Sequence, residues 1–173
     1  MSTLLPTSSV YGAAWRSLNS LLLSLSWPKV SNSKSFVFGC TFGTGHPPAE
    51  CVLILTAAEP DPTNQAWGPI GNYERDETFI VKMTVLTSKQ HKTWLDALNR
   101  LEELTSVIEQ AVHEAGKIQN RAAMIPELAP VMKSWEVTRV LPEIYPDASN
   151  GFAGMATVYV LVNARIRPTN TIR

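Results

Sequence analysis

The stretch ETFIVKMTVLTSKQHKTWLDALNRLEELTSVIEQAVHEAG, Glu77 to Gly116, decides the fold. In its first part Phe79, Val81, Met83 and Val85 alternate with Ile80, Lys82, Thr84 and Leu86, the two-residue period of a strand with two unlike faces. From Trp94 the period changes. Trp94, Leu98, Leu101, Thr105, Ile108, Val112 and Ala115 recur at spacings of three and four, and Ala97, Leu104 and Ala111 widen the same stripe. That predicts a helix of about seven turns, on the order of 40 Å long. Thr87 and Gln90 have capping-box spacing, and Gly116 is expected to close the helix as a left-handed residue. Phe79, Val81, Met83, Val85, Trp94, Leu98, Leu101 and Ile108 are the expected core.

Working outward, residues 1–8 read as a loose terminus, and a first helix runs from Ser8 or Ser9 to about Leu25. Val10, Ala14, Leu18, Leu21, Leu22 and Leu25 make its apolar face, and Trp27-Pro28 closes it. Ser35 to Cys40 reads as a short strand. Cys51 to Ala57 is a denser apolar run, expected as a strand buried on both faces and stopped by Pro60 and Pro62. The long loop Ala58 to Arg75 carries Trp67, Ile70 and Tyr73, a length and content that point to contact with a partner. Beyond Gly116 the helix is taken to have ended, and Lys117 to Pro130 returns the chain to the sheet. Met132 to Leu141 alternates as a strand, Pro142 to Gly154 reads as a polar hairpin loop, and Met155 to Ile166 as the last strand. Arg167 to Arg173 is a polar tail.

These elements make one α+β domain over residues 1–173. Its mostly antiparallel or mixed sheet of four to five strands packs against one long helix and a shorter N-terminal helix. The Leu-rich run Leu18 to Leu25 is interrupted by Asn19, Ser20 and Ser24, and lacks the roughly 20 apolar residues of a membrane span. A soluble, non-exported chain with no membrane contact is the expectation. Cys40 and Cys51, the two cysteines, are expected as free thiols.

Fifteen basic and fifteen acidic residues cancel, so no global field attracts nucleic acid. Only 17% of residues are charged, which favours a surface partly covered by other subunits. His46, His91 and His113 lack ligand-spaced partners, and His91 and His113 are assigned to solvated positions on the long helix. Gly39, Gly43 and Gly45 lack the lysine and hydroxyl ending of a phosphate loop. Glu74, Asp76 and Glu77 read as a charged edge, and Asp96 with Arg100 as a solvent-facing helical pair. The residues thus point to no catalytic, cofactor-binding or metal site and to a chain that is not an enzyme.

The order of features, with Gly71, Arg75, Glu77 and Phe79 leading into the central strand and a glycine-bearing hairpin at Gly154, resembles the tail terminator proteins of long non-contractile-tailed bacteriophages. The resemblance spans most of the chain. It implies a structural virion protein at the head–tail junction, assembled in the host cytoplasm as a homohexameric ring. Such a ring caps the tail tube protein, stops its polymerisation and meets a head-proximal neck or connector protein. DNA passes through its channel without sequence-specific binding. Trp67, Ile70, Tyr73, Arg75, Glu77, Arg165 and Arg167 are the expected interface residues. Another neck or tail ring component, a stopper, connector completion or tube protein, is the alternative, and a small enzyme or ligand-binding domain a further one.

Overall fold

The computed structural model describes residues 10–28, 51–54, 59–60, 75–87, 91–146 and 151–166. Helices α1 (Val10–Ser24), α2 (Trp94–Gly116) and α3 (Ile118–Met124) accompany strands β1 (Cys51–Ile54), β2 (Glu59–Pro60), β3 (Arg75–Leu86), β4 (Met132–Pro146) and β5 (Phe152–Ile166). The result is an α+β fold in which the helices pack against an antiparallel sheet. Three long strands form the body of that sheet, with β5 in the middle between β3 and β4. β1 and β2 pair with the far side of β3 over four and two residues. Of the strand expected from Cys51 to Ala57, residues 51–54 are described and pair with β3, and residues 55–57 lie outside the described residues.

Alternation in β3 sorts its side chains as its sequence requires. Phe79, Val81, Met83 and Val85 are buried, and opposite them on β5 lie Val162, Val160, Val158 and Ala156, all fully covered. α2 packs on this face over β4 and β5 with Ala97, Leu101, Leu104, Ile108, Ala111, Val112 and Ala115. α1 adds Ala13, Ala14, Leu18, Leu21 and Leu22 to the same cluster. One continuous core thus fills one side of the sheet, and burial of this size is the main force holding the layers together. Ser17 is also buried there, with its hydroxyl lacking a hydrogen-bond partner among the described residues.

Several details depart from the sequence expectations. α2 spans 23 residues, about 35 Å, and starts later than the Thr87 cap implied. Its N-cap is Thr93, whose hydroxyl accepts from the Asp96 N–H at 3.1 Å. Thr87 instead ties the end of β3 to β5: its N–H donates to the Gly154 carbonyl at 2.9 Å, and the Gly154 N–H donates to its hydroxyl at 2.7 Å. His91 lies ahead of the helix, half-buried, with its carbonyl accepting from the Phe152 N–H. Trp94 is 56% exposed, because the first buried position of α2 is Ala97 and the indole stands on the turn before the packed part. Leu98 is half-buried at the flank of the stripe.

Gly116 ends α2 without a left-handed turn. The chain leaves through Lys117 in extended conformation (φ −67°, ψ 133°) and resumes as α3, so the segment taken as a plain return contains a further helix. What Gly116 supplies is room: a Cβ there would stand 3.3 Å from the Trp135 carbonyl oxygen. Trp135 fills the space beneath these last turns and donates its indole N–H to the Val112 carbonyl at 2.6 Å. Arg121 of α3 staples the junction to β4, donating to the carbonyls of Gly116, Met132 and Lys133. Arg100, expected in solvent beside Asp96, is 5% exposed and donates to Glu103 and to the Pro28 carbonyl, pinning the end of the α1 segment onto α2.

β4 also runs longer than its alternation suggested, through Pro142 to Pro146. Neither proline breaks it because β4 is an edge of the described sheet, where a missing N–H is tolerated. β-Bulges between Met132 and Ser134 and between Val137 and Arg139 shift its phase. Met132, Trp135, Val137, Val140 and Ile144 accordingly turn to the core in place of a strict every-second-residue set.

Candidate assembly surface

The helices occupy one side of the sheet, so the side chains of β3, β4 and β5 on the other side form a second surface. Register fixes its rows. Thr78 faces Asn163 and Ser134, Ile80 faces Leu161 and Glu136, Lys82 faces Tyr159 and Arg139, and Thr84 faces Thr157 and Leu141. Directly opposed residues of neighbouring antiparallel strands share a face and touch, and the contacts agree with that rule. The Thr78 hydroxyl donates to Asn163 Oδ1 at 2.7 Å, and Asn163 Nδ2 donates to the Ser134 hydroxyl at 2.9 Å. The Lys82 ammonium sits 5.6 Å from the centre of the Tyr159 ring.

At the end of the sheet where β3 begins, Asp76 gathers three strands. Arg165 donates to both of its oxygens, at 2.8 and 3.0 Å, and Lys133 adds a third bond at 3.0 Å. These hydrogen bonds, Arg165 first, hold the Asp76 carboxyl well below the usual carboxylate range. Because its folded value is depressed, Asp76 contributes stability above the unfolded carboxylate value near 4, and the contribution fades as acid titrates it below that. The side chains are partly solvated, 29% exposed for Asp76 and 40% for Arg165, so the expected size is modest. Asp76→Asn should cost about 0.5–1 kcal/mol at pH 7. It should also flatten the loss of stability between pH 5 and pH 3, read from urea midpoints at each pH.

The expected interface residues distribute unevenly over this surface. Trp67, Ile70, Tyr73 and Arg167 lie outside the described residues, as does Cys40. Arg75 opens β3 opposite Ile166 of β5. Glu77 lies half-buried on β3 opposite Ala164, and Arg165 is engaged with Asp76. Sequence reasoning missed Lys82, Tyr159, Arg139, Asn163 and Ser134, which come together only through strand register. The signal present in the sequence was the polar and aromatic half of each alternation.

On the helical side, α2 carries Asp96, Glu102, Glu103, Glu109 and Glu114 against a single arginine, Arg100. Glu103 pairs with Arg100 and Glu114 with Lys117 at 2.6 Å. Asp96, Glu102 and Glu109 are exposed and form no ion pair among the described residues. A groove of about 530 Å³ between the last turns of α2 and β4 is lined by Glu109, His113, Arg121 and Glu136, among others. Arg121 is committed there to backbone carbonyls. No group of three or more His, Cys, Asp or Glu able to hold a metal ion occurs among the described residues, and no described helix is long and apolar enough to cross a membrane. No protein-family model and no curated protein sequence matches the chain.

Proposed function

We propose that this chain is a structural ring protein of the tail-terminator type, a homohexamer that caps a phage tail tube, ends its growth and meets the neck or connector protein, leaving a channel for DNA. One observation carries the reading. The sheet has one side packed by helices and another on which Ile80, Leu161, Tyr159 and Leu141 are only partly covered and lie among Lys82, Glu136 and Arg139. Apolar and aromatic side chains held in a flat, rigid register and ringed by charge are what a protein partner covers.

The element order supports the same reading: a short helix, an apolar strand, a long strand handing over to a long helix, and a closing hairpin. Counting β1 and β2 as strands, this reading takes the subunit sheet as four- to five-stranded. Zero net charge suits a channel that passes DNA without gripping it. The chain would act in the virion at the head–tail junction after assembly in the host cytoplasm. Adding purified protein to growing tail tubes tests this. Elongation should stop, with a six-fold ring at the tube end in electron micrographs; tubes that keep lengthening without a bound ring contradict it.

A further inference from the structure

Resting on that ring reading, we infer that neighbouring copies join head to tail along α2. The opening of the helix in one copy, with Lys92, Trp94 and Leu95, seats in the groove beside the last turns of the helix in the next. Trp94 is 56% exposed and Leu95 49%, two large apolar side chains in succession, and neither belongs to the subunit's own core cluster. Lys92, two residues before Trp94, is exposed and forms no ion pair among the described residues. An indole with a leucine and a cation beside it is a compact anchor of the kind that carries binding energy when a partner covers it.

The groove has the matching chemistry. At about 530 Å³ it has room for an indole; Trp135 and Val137 line it from β4, and Glu109 of α2 and Glu136 of β4 bring a carboxylate from each wall. Both glutamates are exposed and form no ion pair among the described residues. The two cations that also line the groove are engaged otherwise, Lys117 with Glu114 and Arg121 with backbone carbonyls. Lys92 of the incoming copy therefore meets two carboxylates without a counter-charge. Ile118, 81% exposed and next in sequence to Lys117 at the groove, offers Leu95 an apolar neighbour. Asp96, the acidic residue of the opening turn, stands about 160° around the helix axis from Trp94, away from the contact.

Like ends repel. Groove against groove would oppose glutamates to glutamates, and anchor against anchor would oppose Lys92 to Lys92, so the pairing of unlike ends is favoured. Anchor and groove lie toward opposite ends of a helix about 35 Å long, so each copy uses both at once. The contact is heterologous, and its repetition gives a closed ring when the rotation closes.

Sedimentation velocity on the full chain tests this with an anchor variant, Trp94→Asp, and a groove variant, Glu109→Lys/Glu136→Lys. Each should raise the concentration of half-dissociation by roughly thirtyfold or more. Mixed in equal amounts, the two should form dimers and no rings, because the intact groove of the first takes the intact anchor of the second while the remaining two ends are both broken. Circular dichroism verifies folding; if either variant does not fold, Lys92→Glu/Leu95→Gln or Glu109→Gln/Glu136→Gln replaces it and should still weaken assembly. Variants that assemble like wild type, or a mixture that stays monomeric or rebuilds whole rings, overturn this interface and leave the ring standing. A wild-type chain that stays monomeric overturns the ring and the interface with it.

Discussion

Trp135→Ala is expected to destabilise the fold by about 3–5 kcal/mol. The indole is 4% exposed and lies under the last turns of α2, where Gly116 leaves room for it. Removing it opens a cavity that the surrounding helix and strand cannot close, since α2 is held there by Arg121 bonded across to β4. It also removes the 2.6 Å bond to the Val112 carbonyl. Trp135→Phe keeps most of the volume and should cost less than half as much. Urea denaturation of the two variants against wild type separates packing from hydrogen bonding at this one site.

Leu101→Ala should cost about 2–5 kcal/mol, whereas Leu98→Ala, three residues earlier on the same helix, should cost under about 1.5 kcal/mol. Leu101 is 1% exposed and meets β5 where Gly154 has no side chain: a Cβ there would lie 2.7 Å from Leu101 Cδ1. Leu98 is half-buried at the edge of the packed stripe and loses fewer contacts. Equal losses at both positions would mean that α2 is rotated from the orientation described. Thermal or urea midpoints of the pair provide the comparison.

Both residues belong to the stretch from Glu77 to Gly116, where most of the fold was legible in the sequence. Period two in β3 and period 3.6 in α2 are local properties, and local spacing determines which side chains share a face. Local spacing says less about where an element begins. Trp94 is in phase with the buried stripe yet lies beyond its packed part, and Thr87 has a capping pattern but spends its hydroxyl on Gly154, 67 residues away. β4 was read correctly as a strand and incorrectly in phase, since bulges beside Lys133 and Thr138 each consume one residue. Its extension past Pro142 depended on its being an edge strand, a property of the whole sheet.

The candidate surface was harder still to foresee. Asp76 and Arg165 are 89 residues apart, and Thr78 and Asn163 85. Lys82, Tyr159 and Arg139 form a row only because β5 lies between β3 and β4 in that register. What the sequence did expose was a surplus of acid on α2 in a chain of zero net charge. The balancing cations had to lie elsewhere, and Lys82 and Arg139 are on the side of the sheet away from the helices.

The ring is the central claim, and native mass spectrometry tests it most directly. Six chains of 19.1 kDa each should appear as one hexameric species at micromolar concentration. A monomer or dimer that persists as concentration is raised would contradict it.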